Sequence, residues 1–503
     1  MSGPSSNNIS ANKWMHFGIL VTAILIAYIK IFHAGFMAWD DGDYIFHTKD
    51  INSGIGWEQV RHWFTTYYIG NYQPLPVFTY ALDHVIGGSQ PLIYHIDNLL
   101  WHIADTILIY LLINRLQDNK LVGLFVALLF ALHPVQTESV SWIAARNKGM
   151  NVFFYCLALL SYLSYIKTGA KKKLGLVYLF GALAYLCKST AVALPLALFA
   201  MDIWLQRPLK DKKLWLEKLP LALLAIPIAL VTIEAQKQVS FLGAHAQGLS
   251  IDSFVYAGYA YVQYIVQLLC PVKLSVLYPY PVGIGFIHIL YLCIAVGIQV
   301  LMVIAWRRKW YVLAGGILFY TVNILPVLQF VQFGEVLMAD RYLYVACVGI
   351  WFPIVYYLFR YFEARSRQIV AIVLSGTIST ALLVFTFVRN DIWLSDFNFF
   401  NAILDTFPDS SVAQYSVGAL YMKMGNYAEA ERHLNTAVLI DPGNYKAWHN
   451  KGALHLRQGK AMEALDALNK SLELKEYAKA YFTRAMLYEN TGKPDLAIAD
   501  IDK

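Results

Sequence analysis

Charged residues are scarce in this chain. Only 15% of the 503 residues are Asp, Glu, Lys or Arg, whereas soluble proteins carry about 25%. Hydrophobic residues make up 58% of the sequence. This balance excludes an ordinary soluble protein and predicts an all-α protein that crosses a membrane several times and has a more polar tail.

Cysteines are few, and none stand in a Cys-x-x-Cys pair. The five cysteines lie in or beside apolar segments, so we expect neither a disulfide framework nor a zinc site. No small-residue cleavage site follows the first apolar run, which we therefore interpret as an uncleaved span. The basic residues form short runs between apolar segments, which is typical of cytoplasmic loops rather than of a nucleic-acid partner.

Long apolar segments predict eleven membrane spans within a domain covering residues 14–388. A disordered segment, 1–13, is expected before them, and a linker with a first helix, 389–411, after them. The predicted spans are 14–34, 91–112, 121–132, 150–166, 174–187, 191–205, 219–233, 286–305, 311–328, 342–359 and 369–387.

The segment 254–270 is apolar but contains several Tyr and Gln residues. If it crossed the membrane, the later Arg and Lys clusters would lie outside, against the positive-inside rule. We therefore predict an interfacial or re-entrant helix. The resulting topology places four polar loops together on the non-cytoplasmic face, with Lys188 at the same level: 37–73, 133–149, 234–252 and 329–341.

The C-terminal region has an internal repeat. Gly418 and Gly452 stand 34 residues apart, the period of tetratricopeptide (TPR) repeats, and the Ala, Leu and Tyr positions around them agree. A third unit begins near Ala478. We predict a TPR α-solenoid over 412–503, its third unit incomplete, which binds proteins.

Carboxylates cluster directly after the first span, at Asp40, Asp41 and Asp43. Adjacent carboxylates repel, which favours one that accepts a proton near neutrality, although a solvated acidic turn is the simpler alternative. A second polar group lies inside a predicted span: His95, Asn98 and His102 share one helix face. Such residues indicate a functional site or, alternatively, a seam that holds helices together.

Six stretches of the chain match one known family: FMAWDDGDYIFHTKD (36–50), NYQPL (71–75), HIDNLLWH (95–102), LHPVQTESVSWIAAR (132–146), GEVLMADRYLYVACVG (334–349) and RNDIW (389–393). Together they resemble the TMTC-type (transmembrane and TPR repeat-containing) protein O-mannosyltransferases of the GT-C glycosyltransferase superfamily, closer to its bacterial members. Thr48 and Ser189 depart from the pattern of the animal members, which leaves the acceptor and the sugar open.

The resemblance implies a membrane enzyme that transfers a sugar, typically mannose, from a polyprenyl-phosphate donor to Ser or Thr hydroxyls on the non-cytoplasmic side. By resemblance Asp40 is the general base, and Asp41 orients the base or the acceptor. The TPR region would engage the acceptor protein or a partner. Membrane lipids are expected partners. No cofactor is certain, although a divalent cation is possible.

The leaving lipid phosphate needs cations, and the candidates are Arg146, Lys188 and Arg341. Each has an alternative role in anchoring to lipid headgroups or in an ion pair, such as Arg341 with Asp340 or Glu335. His133 and Glu138 could form a relay or metal pair, but fixing the loop geometry is the stronger interpretation.

Two other classes of function stay open. The protein could be a non-catalytic scaffold whose TPR repeats assemble a complex and whose acidic loop is structural. It could also be a transporter of lipid-linked sugar that uses the face with His95, Asn98 and His102 as its path. The acidic pair beside outer cations favours an enzyme, and the lack of an obvious duplication of spans weakens the transporter.

Overall fold

The computed structural model describes residues 6–46, 51, 53–238, 250–281, 283–330 and 336–503. The chain divides into two compact units, Met1–Leu394 and Ser395–Lys503. The first unit contains the apolar helices and the second contains the TPR repeats, as the sequence predicts.

In the described part of the first unit the regular structure is mainly helical, with one two-stranded β-ribbon and an isolated bridge between Tyr68 and Asn71. Its helices are α1 (Ser6–Tyr28), α2 (Asp41–Ile45), α3 (Trp57–Trp63), α4 (Pro74–Gly87), α5 (Pro91–Leu116), α6 (Lys120–Ala131), α7 (Thr137–Ser141), α8 (Arg146–Thr168), α9 (Lys171–Cys187), α10 (Leu194–Trp204), α11 (Lys212–Leu216), α12 (Leu219–Gln238), α13 (Ile251–Leu269), α14 (Phe286–Arg307), α15 (Tyr311–Ile324), α16 (Val348–Glu363) and α17 (Gln368–Arg389). Short 3-10 turns extend several of them, at Ile29–His33, Pro134–Gln136, Ile143–Ala145, Ser189–Ala193, Leu325–Val327, Asp340–Leu343 and Asn390–Leu394.

Six helical segments among the described residues are long and apolar enough to cross a membrane, or seven if the bent pair Lys120–Ala131 and Pro134–Ser141 is one span. Two shorter apolar helices, Ser189–Trp204 and Tyr311–Val327, cover two more predicted spans. The spans predicted at 174–187 and 342–359 fall on helices of 17 and 16 residues. An integral membrane protein is confirmed, whereas the count of eleven stays a prediction.

Two local features differ from or extend the expectations. The first helix begins at Ser6, inside the segment 1–13 for which no regular structure was expected. The predicted segment 254–270 falls on α13, which begins after the capping residue Ser250. One face of α13 is buried, and Ile251, Phe254 and Leu269 are exposed. One buried face and one exposed apolar face are compatible with a helix that lies along the membrane interface.

A two-stranded antiparallel ribbon joins β1 (Tyr278–Pro279) to β2 (Val336–Met338), with Tyr278 opposite Met338. Two residues beyond β2 the chain enters the turn Asp340–Leu343. The ribbon thereby fixes the position of Asp340 and Arg341.

The second unit is a row of antiparallel helices: α18 (Asp396–Thr406), α19 (Ser411–Lys423), α20 (Tyr427–Ile440), α21 (Tyr445–Arg457), α22 (Ala461–Leu474), α23 (Ala478–Asn490) and α24 (Pro494–Ile501). Gly418 and Gly452 each lie against a leucine of the following helix, where a Cβ atom would come within 2.8 and 2.6 Å of Leu434 and Leu468. This repeated close contact explains the glycines at a 34-residue period, and the predicted TPR solenoid is confirmed.

Candidate functional site

The structure brings the four predicted polar loops together. Each loop is linked to another, or to Lys188, by at least one hydrogen bond. The linking contacts are Ala144 N–H to Asp41 Oδ1 (2.8 Å), Arg341 N–H to Glu138 Oε2 (2.8 Å), Gln236 Nε2 to Gly70 O (2.7 Å) and Lys188 Nζ to Asn147 Oδ1 (3.2 Å). Residues 239–249 of the third loop lie outside the described part of the chain.

We call the segment that carries Asp40, Asp41 and Asp43 the acidic loop. Its three carboxylates have different environments. Asp41 is fully buried, and its two oxygens accept the backbone N–H groups of Met37 and Ala144, each at 2.8 Å. Asp40 is half-buried at the start of α2, and Asp43 is exposed. Asp41 therefore fastens the loop to the segment 143–145, and Asp40 has the exposure that an acceptor hydroxyl requires.

Arg146 lies in a buried ionic cluster that occupies its whole guanidinium group. Its Nη2 lies 2.5 Å from Asp83 Oδ2 and its Nη1 lies 3.1 Å from Asp97 Oδ2. Its Nε donates to Asn98 Oδ1 at 2.8 Å, and its plane stacks on Tyr80 at 4.4 Å. Its Nη1 also donates to Thr79 Oγ1, and its Nη2 also donates to the Tyr94 carbonyl. The prediction that Arg146 binds the donor phosphate is therefore corrected, because its five N–H donors are used inside the protein.

Three other basic side chains meet near the acidic loop: Lys148, Lys188 and Arg341. The side-chain nitrogens of Lys148 and Lys188 are in hydrogen-bond contact, in which the accepting nitrogen is a neutral amine, and the Arg341 guanidinium is close enough to disfavour a positive charge on either. Burial, and then Arg341, lowers the pKa of Lys188, to about 8. We call these three residues the cation cluster. Like charges held this close favour binding of an anion between them.

Arg341 is anchored by Glu138, which is 2% exposed. One oxygen of Glu138 accepts the Arg341 backbone N–H, and the other forms an ion pair with Nη1. Burial alone would lower the pKa of Arg341, but Glu138 and, to a smaller extent, Tyr342 and Asp40 raise it. Arg341 is thus charged, held at two points and within electrostatic reach of Asp40.

Of the two partners expected for Arg341, Asp340 does not pair with it, because Glu138 takes that place. Asp340 is buried, accepts from Tyr278 Oη at 2.7 Å and forms an ion pair with Arg389 at 2.9 Å. Burial raises the pKa of Asp340 to about 7, against the opposing effect of Arg389. Glu335 lies outside the described residues.

Aromatic rings flank the cations. The Arg341 guanidinium carbon lies 5.6 Å from the Trp142 ring and 5.1 Å from the Tyr342 ring. Lys148 Nζ lies 4.7 Å from the Tyr342 ring. Tyr342 therefore contacts two members of the cation cluster, and such contacts stabilise each cation by about 0.5–2 kcal/mol.

A small cavity of about 30 Å³ opens beside the cation cluster. Its polar wall contains Lys148, Arg341 and Tyr342, together with Asn151 and Asn323. The volume holds a water molecule or two, so a phosphate group there needs movement of the neighbouring side chains.

His133 and Glu138 do not form a pair. His133 Nε2 contacts the Leu268 carbonyl at 3.0 Å, and its Nδ1 accepts from the Val135 N–H at 3.3 Å. The preferred interpretation, that both residues fix loop geometry, agrees with these contacts. Among the described residues no group of three or more His, Cys, Asp or Glu side chains could hold a metal ion.

The polar face of α5 is a seam between helices. His102 contacts Tyr344 Oη at 2.8 Å and the Ala131 carbonyl at 3.1 Å, while His95 Nε2 lies 3.4 Å from the Gly35 carbonyl. Asn98 donates to the Trp142 carbonyl at 3.0 Å as well as accepting from Arg146. All three are buried, and these contacts favour the structural alternative for this face.

Lys148 is the site residue that the sequence analysis did not select. It follows Arg146 by two positions in the first turn of α8, so the two side chains leave the helix about 200° apart. Acidic residues on α4 and α5 occupy one side, which leaves the other side for the cation cluster. The sequence alone could have shown that Lys148 faces away from Arg146, because a two-residue spacing on a helix gives this angle.

The spans, the TPR unit and the buried ionic site define a helical integral membrane protein with a tetratricopeptide repeat region. Residues 74–231 match the family model described as dolichyl-phosphate-mannose-protein mannosyltransferase. Three tetratricopeptide repeat models match residues 411–444, 433–466 and 478–503.

Curated relatives carry the name protein O-mannosyl-transferase. The chain is 33% identical to Tmtc1 of Drosophila melanogaster over 123 residues, which is 24% of this chain and 14% of the relative. It is 24% identical to TMTC1 of Homo sapiens over 443 residues, or 76% of this chain and 49% of the relative. These matches confirm the resemblance to TMTC proteins, although the chain spans at most about half the length of these relatives.

Two solved structures show weaker similarity. An oligosaccharyltransferase of Archaeoglobus fulgidus in the apo form aligns with a TM-score of 0.43 at 13% identity, covering 80% of this chain and 59% of that chain. ArnT from Cupriavidus metallidurans, bound to undecaprenyl phosphate, aligns with a TM-score of 0.36 at 12% identity, covering 98% and 79%. With scores below 0.5, neither bears on the site. The sequence relatives support a membrane glycosyltransferase.

Proposed function

We propose that this protein transfers a sugar, mannose by its sequence similarity, from a polyprenyl-phosphate donor to Ser or Thr hydroxyls of proteins on the non-cytoplasmic face. The observation that supports this most is the cation cluster, Lys148, Lys188 and Arg341, beside the loop of Asp40. An anion-binding group next to a half-buried carboxylate suits a reaction that needs both a phosphate leaving group and a base.

In the proposed step Asp40 takes the proton of the acceptor hydroxyl. The hydroxyl oxygen forms a bond to the anomeric carbon while the bond from that carbon to the phosphate oxygen breaks. The electron pair of the broken bond stays on the phosphate, whose added charge the cation cluster stabilises. A single displacement inverts the configuration at the anomeric carbon.

The other charged residues support this arrangement. Glu138 holds Arg341 at two points, and Asp41 fastens the acidic loop to residues 143–145. The TPR unit would present the acceptor protein or a partner, as such repeats do elsewhere.

The test is a transfer assay with purified protein, polyprenyl-phosphate-mannose and a pool of Ser/Thr-rich peptides, read by mass spectrometry. We expect a hexose added to a Ser or Thr residue, and loss of that product in Lys148→Met and Asp40→Asn. Lys167→Met is the matched control, because Lys167 is an exposed lysine on the same helix as Lys148. Repeating the assay with a chelator tests the possible divalent cation.

Absence of hexose addition by the wild-type protein would contradict the proposal and favour the scaffold, especially if the TPR unit still captured a partner. Donor translocation across proteoliposomes without transfer would favour the transporter. If Lys148→Met forms product at the wild-type rate, the cation cluster has no part in the reaction.

A further inference from the structure

Two buried amide side chains connect the acidic loop to the cation cluster. Gln73 Nε2 donates to Tyr44 Oη, and Asn147 Nδ2 donates to Gln73 Oε1 at 2.6 Å. Lys188 Nζ then donates to Asn147 Oδ1 at 3.2 Å. Gln73 is 2% exposed and Asn147 is 6% exposed. We call Gln73 and Asn147 the amide bridge.

Lys188 sets the direction of both amides. An ammonium group has only donors, so Asn147 must turn its carbonyl oxygen toward Lys188 and its NH₂ group toward Gln73. Gln73 must then accept with its own carbonyl, which leaves its NH₂ group for Tyr44. Reversing either amide would place two donors or two acceptors face to face in a buried site, which is unfavourable.

The far end of the amide bridge lies in the same helical turn as Asp40. The Tyr44 N–H donates to the Asp40 carbonyl at 3.2 Å, and the Tyr44 ring lies 5.8 Å from the ring of Tyr80. A shift of Tyr44 therefore moves the backbone that carries the Asp40 side chain. Gln73 stands before the first residue of α4, but its side chain does not cap that helix.

We propose that Gln73 is a positioning residue that holds the Asp40 loop at a fixed distance from Lys188. The inference rests on the proposed function, in which Asp40 takes a proton and Lys188 faces the phosphate. It assigns a role to the stretch Asn71–Leu75, which the proposed chemistry leaves unexplained. The proposed step gives the buried Gln73 no contact with either substrate, so its loss should slow the chemical step and leave donor affinity unchanged.

The test compares Gln73→Met, Gln73→Glu and Tyr44→Phe in the transfer assay. Met has a similar length but neither hydrogen bond, so we expect kcat to fall about 10- to 100-fold with donor KM within about twofold. Glu accepts from Asn147 Nδ2 and from the Tyr44 hydroxyl, and should restore most of the turnover. Tyr44→Phe combined with Gln73→Met should lose little more than Gln73→Met alone.

A second measurement does not depend on activity. Hydrogen–deuterium exchange of residues 36–46 should rise in Gln73→Met and in Tyr44→Phe. The matched control is Tyr185→Phe, which removes one buried hydroxyl that donates to the Leu221 carbonyl and to neither residue of the amide bridge, and should leave that exchange unchanged.

Wild-type kcat in Gln73→Met, or unchanged exchange in both bridge variants, would overturn the inference. An increase in donor KM as large as the loss in kcat would do the same. If the wild-type protein transfers no sugar, the proposed function fails, and the exchange measurement still decides whether the amide bridge holds the loop. If Gln73→Met does not fold, Tyr44→Phe decides.

Discussion

Arg146 and Lys148, two residues apart in the first turn of α8, serve opposite sides of that helix. Arg146 forms ion pairs with Asp83 and Asp97, while Lys148 lies against Tyr342 and Lys188. The first turn of α8 thus carries a structural cation on one side and a member of the cation cluster on the other.

This separation predicts different losses for two matched substitutions. Arg146→Met leaves two carboxylates without their partner in a buried site, and should lower the free energy of unfolding by about 3–5 kcal/mol. Lys148→Met should leave thermal unfolding nearly unchanged and lower kcat/KM for the donor about 10- to 100-fold, the value of one charged hydrogen bond. Equal loss of stability in both variants would contradict the separation.

The acidic loop predicts three distinct outcomes for Asp→Asn. Asp40→Asn should lower turnover about 10²- to 10⁴-fold with unchanged stability, because the amide cannot take a proton. Asp41→Asn should lower the free energy of unfolding by about 1–3 kcal/mol, because its NH₂ group meets a backbone N–H of Met37 or Ala144. Asp43→Asn is the exposed control and should do little in either measurement. Normal turnover in Asp40→Asn would show that Asp40 is not the general base.

The ring of Tyr342 should matter more than its hydroxyl. Tyr342→Phe keeps both cation–ring contacts and should keep donor KM near the wild-type value. Tyr342→Leu removes them and should raise donor KM about 3- to 30-fold. If donor KM rises as much in Tyr342→Phe as in Tyr342→Leu, the hydroxyl of Tyr342 is what matters for donor binding, and the cation–ring contacts are not.

The lowered pKa of Lys188 predicts a loss of donor use at alkaline pH. An ordinary lysine keeps its charge to about pH 10, but Lys188 loses its proton near pH 8. We expect kcat/KM for the donor to fall above pH 8 as the cation cluster loses one charge. Lys188→Arg stays charged and should keep kcat/KM level to about pH 10. A decline at pH 8 in that variant as well would assign the titration to another group.

Sidedness can be tested by labelling from outside intact cells. Ser53 and Asp409 are exposed, and cysteines placed there should both be modified if the acidic loop and the TPR region share the non-cytoplasmic side. Cys270 and Cys293 are exposed and are replaced first, so that labelling reports only the introduced cysteines. Modification of only one position would contradict the topology, and with it the interfacial assignment of α13.

Periodicity and composition were enough to predict the helices, the TPR unit and the meeting of the polar loops. Those features depend on local patterns that repeat along the chain. The partners of the charged residues could not be predicted in this way. Glu138 pairs with Arg341 and Asp340 with Arg389, and such pairs depend on how distant helices pack. Arg146 was assigned to the phosphate because a sequence shows a charge but not the carboxylates folded against it.

The pair of Glu138 and Arg341 also bears on how the protein is made. The two residues stand 203 positions apart, so Glu138 leaves the ribosome long before its partner exists. Synthesis and membrane insertion proceed from the N-terminus, and the cation cluster lacks Arg341 until that last loop has been threaded into place. A nascent chain that ends before Arg341 carries Asp40 and Lys188 but no complete site. The proposed enzyme would therefore be inactive until its membrane insertion is nearly finished.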